Sequence, residues 1–189
     1  MCGRYYIEID EKELQDIVDA VEKKTQESGE QLTIKTHGEI FPTDIVPVQI
    51  GDNQYQMMKW GFVAYNGKPI INARSETALE KPMFKQAMLE RRCLVPASGY
   101  YEWLTEGKKK TKHKIFSNNG PVYMAGCYRQ EINSPLCHFV ILTRQATKDT
   151  SKIHDRMPVI ITQEYRGLWL RQAPSMIDFA DEKLMYIAV

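Results

Sequence analysis

The sequence is short of everything that marks an exported, membrane-bound or polyanion-coating protein. It has only 4 cysteines in 189 residues, Cys2, Cys93, Cys127 and Cys137, and none has C-x-x-C spacing. In a reducing compartment such cysteines are expected as thiols rather than disulfides. Cys137 is followed directly by His138, but the alternation of "PLCHFVILT" sends the two to opposite faces of a strand, so no metal site is expected. No segment approaches about eighteen consecutive apolar residues, and no basic run followed by an apolar stretch opens the chain. The reading is therefore neither a leader nor a membrane span, with a cytoplasmic location expected, nucleoid-associated if the source is bacterial. An excess of charge of either sign is also missing: Lys and Arg number 25 against 24 Asp and Glu, for a net charge of +1. Binding of anionic partners by bulk charge is thereby excluded, and any contact with nucleic acid must come from local clustering. Repeats, low-complexity tracts and Pro/Gly/Ser-rich linkers are absent too. With 43% hydrophobic residues the chain can bury one sizeable core, and a single domain over residues 1–189, monomeric and without a cofactor, is expected.

What the sequence does have is many short strand-like runs. "CGRYYIEI" reads as a strand, followed by Ile45–Ile50, Gln54–Phe62, Cys93–Ala97, Tyr100–Leu104, Lys112–Phe116, Val122–Tyr128, His138–Thr143, Pro158–Thr162 and Leu184–Ala188. A helix is predicted from Asp10 onward, with Asp10 and Glu13 in capping-box spacing and Leu14, Ile17, Val18 and Val21 on one face. A second helix is predicted over Ser75–Arg91 with a break at Pro82, and a third over Glu164–Leu170. This pattern predicts an α+β fold, mainly an antiparallel, curved or barrel-like β-sheet with a few peripheral helices.

Polar residues interrupt the apolar runs in four places: "MCGRY" at the start, "INARSET" at Ile71–Thr77, "PASGYYEW" at Pro96–Trp103 and "SKIHDRMPVII" at Ser151–Ile161. Each residue taken singly has an ordinary explanation. Cys2 is a thiol on a chain end that tolerates change. Asn72 can serve a turn or cap before a helix, Glu102 can sit on the solvated face of a strand, and His154 can be a loop histidine.

Together, in order and with their flanks, "MCGRY", "FPTDIVPV", "MKWGF", "INARSET", "RRCLVPASGYYEW" and "IHDRMPVII" resemble the SOS-response-associated peptidase family, the abasic-site processing proteins. The resemblance runs from Cys2 to about Leu170. It implies a protein that recognises an abasic site in single-stranded DNA and bonds to it covalently through an N-terminal cysteine. It implies an active site of Cys2, Asn72, Glu102 and His154, phosphate contacts from Arg4 and Arg74, and a place near the DNA for Trp60, Gly61 and Phe62. Pro42 and Pro47 are expected to shape the groove. Trp60, Phe62 and Trp103 are able to stack on bases, although strand aromatics are more often core, and core is favoured for Trp103.

The chemistry has its own logic. A ring-opened abasic site is an aldehyde, and an aldehyde is captured by an unprotonated amine. An α-amino group with a pKa of about 7.7–8.0 is roughly 0.3 free base near neutrality, against about 0.001 for a lysine at about 10.4. If Met1 is removed, Cys2 carries that amine and a thiol two bonds further on, so the imine formed first can close to a thiazolidine. Proton transfers in both steps suit one carboxylate and one imidazole. Glu102 is expected on the amine side of Cys2, His154 at the sugar ring oxygen, and Asn72 as the group that holds the Cys2 backbone or a sugar hydroxyl in line.

Two departures from the family stand out. "VAYNGKPI" between "MKWGF" and "INARSET" is short, and Arg144 occupies a position where a second threonine is common, adding a charge able to serve phosphate binding. Arg91, Arg92 and the lysine run at Lys108–Lys114 can extend a phosphate track, although the run also reads as a solvated hairpin tip. Two other functions stay open at this point: a peptidase with Cys2 as N-terminal nucleophile, and a non-catalytic reader of single-stranded or modified DNA.

Overall fold

Short β-branched and aromatic runs become strands here, and the stretches with a helical period become helices. The computed structural model describes residues 2–8, 12–28, 33–64, 66–171 and 182–189. In chain order the described elements are β1 (Tyr5–Ile7), α1 (Lys12–Ser28), β2 (Gly38–Ile40), β3 (Ile45–Gly51), β4 (Gln54–Trp60), β5 (Phe62–Val63), β6 (Pro69–Ile70), β7 (Asn72–Arg74), α2 (Pro82–Glu90), β8 (Arg92–Ala97), β9 (Gly99–Glu106), β10 (Lys109–Phe116), β11 (Val122–Gln130), β12 (Cys137–Gln145), β13 (Arg156–Pro158), α3 (Gln163–Arg171) and β14 (Met185–Ala188).

Strands β11, β8, β3, β4 and β12 pair in that order, and β12 pairs back onto β11, which closes a small barrel and abolishes its edges. The β4–β12 seam is parallel, with His138 opposite Lys59. Strand β12 extends past the barrel to carry β13 on one side and β7, also parallel, on the other. A second sheet runs β14-β10-β9-β1-β2, antiparallel throughout. The sheets are joined covalently where β8 passes through Ser98 into β9, and one continuous apolar cluster runs through both.

The junction depends on Gly99. A Cβ built there would lie 2.2 Å from the Ile115 carbonyl oxygen and 2.5 Å from the Tyr6 hydroxyl, so only glycine lets β1, β9 and β10 approach each other at this point.

Several boundaries differ from the sequence reading. The helix predicted over Ser75–Arg91 begins only at Pro82, which takes the first-turn position where a missing N–H costs nothing. Turns precede it, with the Thr77 N–H donating to the Arg74 carbonyl at 3.1 Å. The strand predicted over Pro158–Thr162 is displaced to Arg156–Pro158, leaving an isolated bridge between Met124 and Ile160. Strand β4 stops at Trp60 because Gly61 turns the chain at φ +116. Leu14, Ile17, Val18 and Val21 of α1 are all buried, as the spacing predicts. Asp10 of the expected capping box lies outside the described residues, and the Glu13 carboxylate is turned to the barrel, where it accepts from Tyr123 Oη at 2.6 Å and Arg166 Nη1 at 2.7 Å. Among the described residues, no group of three His, Cys, Asp or Glu side chains is placed to hold a metal ion, and no helix is long and apolar enough to cross a membrane.

Candidate active site

Strand β1 enters the junction of the two sheets, and the residues just before it are held against β7 and β9. The register that sets Tyr5 opposite Tyr100 brings the Tyr101 N–H to the Arg4 carbonyl at 2.9 Å. Cys2 is thereby fixed, fully buried, at the start of the chain. Its thiol donates to the Arg4 carbonyl at 3.7 Å, and Asn72 Nδ2, at the start of β7, donates to the Cys2 carbonyl at 2.8 Å. The other amide atom, Asn72 Oδ1, is buried with no hydrogen-bond partner, leaving an acceptor ready beside Cys2.

Glu102 sits on β9 with only 3% of its surface exposed, so the solvated-face reading of this strand position is corrected. The two sheets bury both faces of β9 here. Burial, and after it the negative charge of Glu102, pushes the Cys2 thiol well above its ordinary range. At neutral pH the thiol therefore keeps its proton.

Tyr100 completes this corner, and the sequence reading missed it. Period two places it on the same face as Glu102, which is the signal that would have found it. Its phenol is pushed upward by burial and by its neighbours Cys2 and Glu102, while Thr150 and the charge of Arg144 act in the opposite direction. Thr150 lies in the loop that also carries His154, whose N–H donates to the Thr150 carbonyl at 3.3 Å. Two contacts of His154 Nδ1 make opposite demands: the Arg156 N–H at 2.9 Å requires a lone pair, and the Asp155 carboxylate at 2.8 Å requires a proton. The Arg156 amide is fixed by the backbone while Asp155 is largely exposed, so the first contact is the firmer one, and the tautomer that accepts it has its proton on Nε2.

Arg4 lies on the other flank. Its guanidinium sits 4.3 Å from the Phe41 ring centroid and 5.2 Å from that of Trp103, and it pairs with Glu39 at 3.2 Å. Phe41 is exposed and Trp103 half-buried, so these two rings form the accessible aromatic surface. Pro42 follows Phe41 in a turn that Asp44 closes by accepting the Phe41 N–H at 2.8 Å. Arg74 is exposed at the end of β7 and makes no ion pair among the described residues.

The expected roles of the aromatics are exchanged. Trp60 and Phe62 are fully buried: the Trp60 ring packs 5.2 Å from Tyr5 and parallel to Phe139, its Nε1 donates to the Ile71 carbonyl at 3.0 Å, and Phe62 packs on Phe84. Neither ring offers a face to a base, which corrects their assignment to the DNA surface. Gly61 between them serves the turn, where an added Cβ would lie 2.8 Å from Pro69 Cβ. Trp103, read as core, is at the surface. The lysine run is only partly a solvated tip: Lys112 pairs with Glu39 and lies 3.8 Å from the Tyr101 centroid, and Lys114 pairs with Glu8 at 2.6 Å.

A barrel joined to an antiparallel sheet, with a buried cysteine at the start of the chain tethered by an asparagine and flanked by a buried glutamate, defines a thiol-centred site at a sheet junction. The chain belongs to the SOS response associated peptidase (SRAP) family, whose model matches residues 1–186. It is 30% identical over 207 residues to the abasic site processing protein YoqW of Bacillus subtilis, covering 97% of this chain and 86% of that one. It is also 30% identical over 145 residues to YoaM of the same organism, covering 71% of this chain and 64% of that relative's length. The crystal structure of a protein from Bordetella bronchiseptica superposes with a TM-score of 0.76 at 20% identity, covering 100% of this chain and 99% of that one, and shares the fold.

Proposed function

We propose that this chain processes abasic sites in single-stranded DNA by bonding to them through Cys2, shielding the lesion in a DNA damage response. The observation that carries the reading is the Asn72–Cys2–Glu102 arrangement, a buried thiol whose backbone is pinned at 2.8 Å and which feels the charge of a buried carboxylate on β9. With Met1 removed, the Cys2 amine adds to the C1′ aldehyde and water leaves as the imine forms. Sulfur then adds to the same carbon while its proton passes to nitrogen, giving a thiazolidine with the net release of one water. Glu102 takes and returns the protons at Cys2, and His154 donates from Nε2 to the sugar oxygen as the ring opens. Asn72 holds Cys2 in line and offers Oδ1 to the amine or a sugar hydroxyl. Arg4 and Arg74 hold the flanking phosphates.

The imine also permits β-elimination, so weak DNA lyase activity accompanies crosslinking, and ring closure diverts the intermediate from strand cleavage. Cleavage of the Met1–Cys2 bond by the same thiol and carboxylate is the peptidase activity this site supports. The test is a denaturing gel of purified protein, with its amino terminus verified as Cys2, after incubation with single-stranded DNA carrying one abasic site. A shifted covalent band is expected, abolished by Cys2→Ala and never formed on undamaged DNA; its absence from the wild type overturns the proposal in favour of a non-covalent reader.

A further inference from the structure

The proposed chemistry leaves one atom without a partner: the aldehyde oxygen on C1′, which must be held while the amine adds and must then depart as water. The corner around Cys2 holds the converse. Tyr5 is fully buried and Tyr100 is 1% exposed, and neither phenolic oxygen makes a hydrogen bond among the described residues. Asn72 Oδ1, the acceptor already assigned to the amine or a sugar hydroxyl, is buried in the same condition. Buried polar groups are normally paired, so unpaired donors gathered at one corner point to a ligand that pairs them.

Hydrogen bonds and register, independently of charge, place these groups around Cys2. Tyr5 stands directly opposite Tyr100 in the antiparallel β1–β9 pair, so both rings leave the same face of the sheet. Glu102, two residues on from Tyr100 along β9, shares that face. The thiol is set against the same two strands: Cys2 Sγ at 3.7 Å and the Tyr101 N–H at 2.9 Å both donate to one oxygen, the Arg4 carbonyl, immediately before Tyr5. On the other side the Tyr5 ring packs 5.2 Å from Trp60, whose Nε1 donates to the Ile71 carbonyl at 3.0 Å, and the next residue, Asn72, holds the Cys2 carbonyl at 2.8 Å. The circuit from Tyr5 through Trp60, Asn72 and Cys2 to Arg4 closes on itself, and a carbon captured by Cys2 brings its oxygen into it. Burial foremost, then Asp44 and Cys2, pushes the Tyr5 phenol upward, and burial foremost, then Cys2 and Glu102, does the same to Tyr100. Both therefore stay neutral O–H donors at neutral pH.

We propose that Tyr5 and Tyr100 form a donor pair for the C1′ oxygen, holding it by hydrogen bonds in the aldehyde and in the carbinolamine until it leaves. The Cys2 nitrogen adds to C1′ as the carbonyl π bond opens onto oxygen. Both amine protons pass by way of Glu102 to that oxygen, the C1′–O bond breaks, and water departs with the two phenols unchanged. The inference rests on the reading of Cys2 as the residue that bonds the abasic aldehyde.

Tyr5→Phe, Tyr100→Phe and the double variant delete the hydroxyls and keep the rings. Each protein, with Cys2 verified as its first residue, is tested for the rate of adduct formation on a single strand carrying one abasic site, for affinity toward the same strand carrying a tetrahydrofuran analogue, which has no oxygen substituent on C1′, and for melting temperature. Each single variant should form the adduct about 10²-fold more slowly, the order expected for loss of one preorganised donor to a developing oxyanion. The double variant should fall short of the product of the two losses, because both hydroxyls serve one oxygen. Imine trapped early with borohydride should fall by the same factor as the adduct, since the loss lies at capture of the aldehyde and not at ring closure. Affinity for the analogue should equal that of the wild type, and the melting temperature should be unchanged or raised, because an unpaired hydroxyl contributes no bond to the folded state. Wild-type rates in all three variants overturn the donor pair, and so does a slower reaction accompanied by weaker binding of the analogue or a lower melting temperature, which assigns the hydroxyls to structure. A wild-type adduct with unaltered variant rates sinks the donor pair alone, whereas failure of the wild type to form an adduct sinks the proposed function.

Discussion

Glu102 is the residue on which the chemistry turns, because it affects the Cys2 thiol in two opposed ways. As a charge it makes thiolate harder to form, being the largest cause after burial of the raised thiol. In the proposed mechanism it also acts as the base that removes the proton when sulfur attacks. Replacement by glutamine, which keeps the shape and removes the charge, separates these effects. In Glu102→Gln the Cys2 thiol should titrate lower than in the wild type, followed by NMR of protein carrying ¹³C at cysteine Cβ. Adduct formation on an abasic strand should nevertheless slow by about 10²-fold or more, the usual range for loss of a general base. Faster crosslinking in the variant would show that the carboxylate only raises the thiol and takes no proton. Cys2, Asn72, Glu102 and His154 were singled out in the sequence through their flanking motifs. Tyr100 and Thr150 were not, because a tyrosine in a strand looks like core until the strand beside it is known to carry the thiol.

At the level of elements, the His154 loop is anchored by one ion pair. Arg156 donates to both Glu76 oxygens, at 2.6 and 2.9 Å, and to the Thr143 carbonyl at 2.6 Å, clamping the start of β13 to β12 and to the turn after β7. The hydrogen bonds from Arg156 hold the Glu76 carboxyl down at about 2. A carboxylate depressed in the folded state contributes stability above its unfolded pKa and loses it as pH falls through the folded value. The pair's contribution should therefore be complete above about pH 5 and vanish near pH 2. With Glu76 half exposed, solvent screening limits it to about 0.5–1 kcal/mol. Thermal unfolding of wild type and Glu76→Gln should show a gap of a few degrees at pH 7 that narrows steadily below about pH 4; a gap independent of pH would mean that packing, not charge, holds the loop. Strand positions and a barrel-like sheet followed from alternation and spacing, but which strands close the barrel did not. The β12–β11 and β4–β12 pairings join residues distant in sequence, and whether Trp60 faced the core or the DNA depended on which strands closed over it. Gly99 stood out no more than any other glycine for the same reason, since the atoms that exclude a Cβ come from elsewhere in the chain.

For the whole molecule, a net charge of +1 means that phosphate affinity is decided by which cations are already neutralised internally. Glu39 is the main brake on the Arg4 flank. It accepts from both Arg4 and Lys112, and these two hydrogen bonds and charges, Lys112 foremost, lower its own pKa. Arg4 stays between Phe41 and Trp103 without Glu39, because the rings hold the guanidinium independently. Removal of the carboxylate should thus free two cations in place rather than disperse them. Glu39→Gln is expected to bind a single strand carrying the tetrahydrofuran analogue more tightly at about 50 mM salt and to steepen the salt dependence by up to about 1.4, or about 0.7 for each cation released to a phosphate. A Glu39→Gln slope equal to wild type would place the DNA away from Arg4 and leave the Phe41–Arg4–Trp103 stack as a purely structural feature of the β1–β9 junction.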